Sequence, residues 1–302
     1  MTAPTYLARR THQSRFIELR GLRHHVLQWG GRLDANVPTL VMLHGWMDVG
    51  ASFQFVVDAL QKQPARQVIS MDWRGFGLTA GSGADAYWFP DYLGDLDALL
   101  DTLSPEQPVD LLGHSMGGNV VMSYAGVRPD RVRRLINLEG FGLPETQASQ
   151  APGRLAKWLD DLKQPQELKS YPDLAAVAAR LMKTNPRLPA LKAAWLAPHW
   201  SREVGGAWHI LADPAHKRAN PMLYRKDEIL ATWARIDAPL LWVEGACTDL
   251  TKFWGTRYPR SDFESRLSVV PNVQRQILAD AGHMLHHDQP EALAAAIESF
   301  LS

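Results

Sequence analysis

Residues 111–120 read LLGHSMGGNV, with Ser115 two residues from Gly113 and two from Gly117, directly after the apolar run VDLL. Two glycines without β-carbons let a strand turn sharply into a helix, which pushes the serine hydroxyl out at the apex. Backbone strain of that kind persists where the exposed atom has work to do. The chemistry open to such a hydroxyl is nucleophilic attack on an acyl carbon. A serine needs a base, and the base needs an acid to orient it. The base is His283 in LADAGHMLHHDQPEAL, which follows the last apolar run and precedes the last helical pattern. In VMLHGWMD, Gly45 allows the chain to fold close to the serine, so that the Trp46 amide can face a developing oxyanion. The Met116 amide, at a helix N-terminus, is the second donor.

Elements to position these residues are present. RFIELRGLRHHVLQWG reads as a hairpin around Gly21, and apolar runs follow at 39–43, 67–71, 109–113, 134–138, 239–243 and 275–279. Runs that are apolar on both faces suit buried parallel strands. Helical patterns lie between several of them: Leu93, Leu96, Leu99, Leu100 and Leu103 share one face, and EALAAAIESFL closes the chain. The alternation predicts an α/β fold, a mostly parallel central sheet flanked by helices. Between about Phe141 and Ile236 the rhythm changes to proline-punctuated helical segments with no convincing strand. This divides the chain into a core, 1–140 and 237–302, and a helical cap, 141–236. Trp158, Trp195, Trp200 and Trp208 in the cap, with His44 beside Gly45, are assigned to substrate contact. The plainer alternative for the tryptophans is a small core within the cap.

Lys plus Arg equals Asp plus Glu at 32 each, so no overall field favours nucleic acid or an anionic membrane. The expected partner is a small-molecule substrate, and a homo-oligomer is compatible with the chain. The opening MTAPTYLARRTHQSRF lacks a secretory pattern and no apolar run has membrane-spanning length, which points to the cytoplasm. Cys247 is the one cysteine, so an internal disulfide is excluded; it reads as a small apolar residue. His286 and His287 raise a metal reading together with His283. With no carboxylate or thiolate cluster in evidence they read as polar residues at a helix entrance, and no metal or organic cofactor is expected.

HGW, DWRGFG, GHSMGG and AGH, in this order and spacing, resemble the α/β-hydrolase superfamily over nearly the whole chain. HGWMDVGASF and RLMKTNPRL are similar to its serine hydrolase-like branch. The resemblance implies a triad in the order nucleophile, acid, histidine beneath a helical cap, with Asp72 and Arg74 of DWRGFG holding loops. It offers two places for the acid. One follows the seventh strand, where WVEGACTDL puts Asp249 four beyond Gly245, one more than the family spacing. The other follows the sixth, where INLEGFGLP supplies Glu139. Asp249 is favoured over Glu139.

The activity expected is hydrolysis of a small acyl substrate, a carboxylic ester first, through an acyl enzyme. A serine nucleophile argues against the dehalogenase and epoxide-hydrolase branches, which use aspartate. Thioesterases, lactonases, carbon–carbon bond hydrolases, perhydrolases and hydroxynitrile lyases share the scaffold, and a ligand-binding protein with a vestigial triad is the rival from another class.

Overall fold

The computed structural model describes residues 4–31, 37–61 and 66–302, so Met1 to Ala3 of the opening stretch lie outside it. The strands are β1 (His12–Leu19), β2 (Leu22–Trp29), β3 (Leu40–Leu43), β4 (Val68–Met71), β5 (Val109–His114), β6 (Val132–Leu138), β7 (Ser170–Tyr171), β8 (Ser201–Val204), β9 (Ala207–Ile210), β10 (Leu240–Gly245) and β11 (Val273–Leu278). The helices are α1 (Gln54–Ala59), α2 (Phe89–Leu103), α3 (Met116–Val127), α4 (Ala151–Leu162), α5 (Leu174–Thr184), α6 (Ala190–Trp200), α7 (Lys226–Trp233), α8 (Leu250–Trp254), α9 (Arg260–Leu267), α10 (Leu285–Asp288) and α11 (Pro290–Leu301).

Eight strands form one sheet in the order β1-β2-β4-β3-β5-β6-β10-β11. β1 and β2 are the antiparallel hairpin, β2 pairs antiparallel with β4, and every later pair in the sheet is parallel. All residues of β3, β4 and β5 are buried, as apolar runs covered on both faces must be. On one face the core joins Leu96, Leu99 and Leu100 of α2 to Val120 and Val121 of α3 and Phe263 of α9. On the other, Val56 and Val57 of α1 meet Leu293 and Ile297 of α11.

The parallel register aligns the ends of the central strands. His114 at the end of β5 lies beside Leu138 at the end of β6, and Leu138 beside Val243 of β10. Pairing continues one step further, with the Ser115 amide donating to the Leu138 carbonyl at 2.8 Å and the Glu139 amide to that of Val243 at 3.2 Å. Residues 115 and 139 therefore leave the sheet side by side at its carboxyl edge, the place where open α/β sheets build sites.

Between β6 and β10 the chain is not purely helical. β7, β9 and β8 form a three-stranded antiparallel sheet, a correction to the strand-free reading of this segment. These strands are two to four residues long and mostly uncovered, so they lack the apolar pattern that marks a buried strand. The segment has its own small core of Val177, Leu181, Leu188 and Leu196, which closes on Phe55. It is also joined to the main body by His216, whose ring stacks between Phe76 at 3.8 Å and Tyr87 at 3.6 Å and whose Nε2 donates to the Arg74 carbonyl.

Burial lowers the pKa of His216 from an ordinary 6.5 to about 4. Between those values the unfolded chain binds more protons than the native one, so stability falls as pH drops through that window. His216→Phe is expected to remove about one proton's worth of slope, leaving the contributions of His199, likewise lowered to about 4, and of the buried His44, His114 and His287, whose values are also lowered. Urea denaturation across that pH range measures it; an undiminished slope contradicts the assignment.

Candidate active site

Ser115 occupies the turn between β5 and α3 with φ 51° and ψ −113°, a conformation that side-chain-bearing residues rarely adopt. The flanking glycines show why it can be held. A β-carbon at Gly113 would meet the Gly117 carbonyl oxygen at 2.2 Å, and one at Gly117 would meet the Leu43 carbonyl oxygen at 2.2 Å. The first turn of α3 thus packs directly on the ends of β3 and β5.

His283 lies on the loop between β11 and α10. Its Nε2 is 3.0 Å from Ser115 Oγ and its Nδ1 is 2.7 Å from Glu139 Oε2. The carboxylate is fully buried, and its other oxygen accepts from the Gly245 amide at 2.7 Å and the Thr248 hydroxyl at 2.6 Å. With a carboxylate on Nδ1, the tautomer that carries its proton there leaves Nε2 free to accept from the serine. A second tether holds the loop: His114 Nε2 donates to the His283 carbonyl at 2.7 Å.

Asp249, favoured by the sequence, does not reach the histidine. It is the N-cap of α8, accepting from the amide and hydroxyl of Thr251 at 2.9 and 2.5 Å. Those bonds hold its carboxyl below the usual carboxylate value. Gly245 is needed for another reason than presenting an acid. A β-carbon there would lie 2.3 Å from the Ala281 carbonyl oxygen, so the glycine lets the His283 loop cross the end of β10.

Gly45 brings the loop after β3 against Ser115: a β-carbon on it would lie 3.2 Å from Ser115 Cβ. Among the described residues, the Trp46 amide donates to no backbone carbonyl and the Met116 amide to none outside α3. His44 supports this loop rather than facing a ligand, which corrects its assignment. It is buried, with Nδ1 donating to the Gly45 carbonyl at 2.7 Å and Nε2 accepting from the Trp73 amide at 3.0 Å. Burial lowers its pKa and keeps it neutral for that donor–acceptor pairing.

Asp72 and Arg74 brace neighbouring loops. Asp72 accepts from the amides of Gly50 and Leu78 and from His25, and Arg74 makes two 2.6 Å bonds to Asp95.

Three of the tryptophans assigned to substrate contact are corrected: Trp195, Trp200 and Trp208 pack against the insertion's own core, Trp195 edge-on to Phe55. Trp158 is half-buried on α4, and its indole N–H has no hydrogen-bond partner among the described residues. The aromatic residue that does touch the base is Phe253 of α8, exposed and 4.9 Å from the His283 ring centre. Its sequence signal, the pair Phe253-Trp254 in a polar segment just after a strand, is short and went unread. Cys247, read from the sequence as a small apolar residue, is exposed on the loop after β10.

The family described as the alpha/beta hydrolase fold matches residues 38–290. The chain belongs to this family. Among curated relatives, it is 23% identical to a serine hydrolase-like protein of Danio rerio, over 87% of this chain and 81% of the relative. It is 25% identical to an sn-1-specific diacylglycerol lipase of Mus musculus, over 89% and 82%. Among solved structures, a thioesterase domain from the curacin biosynthetic pathway superposes with a TM-score of 0.83 at 26% identity, covering 96% of this chain and 99% of that one. Among the described residues no helix is long and apolar enough to cross a membrane.

The geometry makes Glu139 and Asp249 separable. Glu139→Gln keeps the shape but removes the charge opposite His283, a change that costs on the order of 10⁴ in comparable triads. Labelling of Ser115 by a fluorophosphonate is expected to slow by about that factor in Glu139→Gln and by less than about threefold in Asp249→Asn. The reverse ranking would return the acid to Asp249.

Proposed function

We propose that this chain is a serine hydrolase that cleaves a small carboxylic ester through an acyl enzyme. The observation that carries the reading is the continuous relay from Ser115 Oγ through His283 to the buried Glu139 carboxylate. Ser115 attacks the acyl carbon as His283 Nε2 takes its proton. The Trp46 and Met116 amides receive the oxyanion, a contribution of about 3–4 kcal/mol per donor in related sites. His283 then protonates the leaving alkoxide, and the ester C–O bond breaks. Water, deprotonated by the same nitrogen, attacks the acyl enzyme, and the proton returns to Ser115 Oγ as the acid departs. Glu139 stays ionised throughout and stabilises the imidazolium.

The likeness to a diacylglycerol lipase supports ester cleavage. A thioester is the second reading, favoured by the 26% identical thioesterase domain. The segment 141–236 serves as the cap, and Phe253 with the Trp46 side chain forms the apolar wall beside the acyl group. A cytoplasmic reaction on a small molecule, with no metal in its chemical steps, fits this scheme.

Ser115→Ala is expected to abolish hydrolysis of p-nitrophenyl esters and acyl thioesters while leaving the circular dichroism spectrum unchanged, because it removes one hydroxyl at a turn. Loss of a nucleophile costs several orders of magnitude, so activity above about a hundredth of wild type rejects Ser115. Wild-type kcat/KM compared across the two substrate series decides between ester and thioester. Failure of a fluorophosphonate to label the folded chain would favour the ligand-binding rival.

A further inference from the structure

Beside the triad lies a second cluster that the reaction does not use. Asp48, His286 and His287 are all buried, and one ligand-type atom from each lies within 4.8 Å of the others. Asp48 Oδ1 is satisfied by the Val49 amide at 2.8 Å and by the Ser52 hydroxyl, which turns Oδ2 toward the imidazoles. That Oδ2, both ring nitrogens of His286 and both of His287 have no hydrogen-bond partner among the described residues. Buried polar atoms are costly to leave unpaired, and a single ion would take three of these five, one from each residue. Asp48 Oδ2 and His286 Nε2 are 3.5 Å apart, long for a hydrogen bond. Two ligands on a tetrahedral ion, each about 2.0–2.1 Å from it, are separated by about 3.4 Å.

We propose that Asp48, His286 and His287 bind one divalent first-row transition-metal ion that clasps the oxyanion loop to the loop of the catalytic histidine. One carboxylate oxygen with two imidazole nitrogens is a donor set for zinc and its neighbours, not for calcium or magnesium. The placement gives the ion its consequence. Asp48 stands two residues beyond Trp46, and His286 three beyond His283. His114, whose ring is 4.4 Å from that of His286, also holds the His283 carbonyl. The ion is a positioning group and touches no reacting atom. The binding site stands on its own geometry, whereas its effect on turnover rests on the function proposed above.

The test begins with folded wild-type protein stripped by chelator and dialysed. Calorimetric titration with Zn²⁺ is expected to give about one ion per chain and to raise the melting temperature, since an ion that binds only the native state stabilises it. Asp48→Asn and His287→Gln are each expected to weaken that affinity by more than about tenfold, while His209→Ala, on the exposed side of β9, leaves it unchanged. Should the buried variants fail to fold, Co²⁺ added to wild type decides. Intense visible bands of a low-coordinate site support the proposal; only the weak spectrum of the hydrated ion overturns it. Absence of Zn²⁺ uptake, or uptake unaltered in folded His287→Gln, also overturns it. If uptake is found, kcat for a p-nitrophenyl ester is expected to change severalfold between stripped and loaded enzyme. Uptake without any ester or thioester turnover would leave the ion site standing and remove the catalytic reading instead.

Discussion

One buried negative charge organises this site. Glu139 has no exposed side-chain surface, and three donors surround its carboxylate: the Gly245 amide, the Thr248 hydroxyl and the His283 ring. An unpaired carboxylate in such a place would protonate or reject the fold. The three donors come from the end of β10, the loop after it and the loop after β11, while the acid itself ends β6. A single side chain therefore ties together three chain segments at the carboxyl edge, in addition to the backbone bonds between them. It also aims the imidazole at Ser115.

The remaining architecture holds that arrangement under strain. Ser115 and Glu139, on adjacent strands, both have positive φ, 51° and 55°. Each would relax if its turn were loosened. The β5–β6–β10 register prevents this, since the amides of both residues extend the parallel ladder by one bond. Close approach does the rest: Gly113, Gly117 and Gly245 each sit where a β-carbon would strike a backbone oxygen at 2.3 Å or less. Such contacts leave the two strained residues little room to move, which is how preorganisation is built from backbone alone.

Features encoded over a few residues were legible in the sequence. The apolar runs located β3, β4, β5, β6, β10 and β11 to within two residues, and the glycine-flanked Ser115 with its strand and helix located the nucleophile turn. The acid was not legible in that way, because it is chosen by a contact between positions 139 and 283. The local cue at Gly245 pointed to Asp249, yet that glycine answers to the passage of Ala281. His44 misled similarly: next to an oxyanion glycine it resembles a ligand contact, but its ring is spent on Gly45 and Trp73. The small sheet in the insertion escaped because its strands are too short and exposed to carry a pattern. The cluster at His286 and His287 looked incomplete because its carboxylate, Asp48, lies more than 230 positions earlier in the chain.

The central claim, that Glu139, His283 and Ser115 act as one unit facing the Trp46 and Met116 amides, is tested most directly by a crystal structure of the chain inactivated with an ethyl fluorophosphonate, whose fluoride leaves as Ser115 Oγ bonds to phosphorus. The account predicts phosphorus bonded to Ser115 Oγ, the phosphoryl oxygen within about 3 Å of both amides, and His283 still hydrogen-bonded to Glu139. Phosphorus on another residue, an oxygen turned away from both amides, or a His283 ring turned to Asp249 would contradict it.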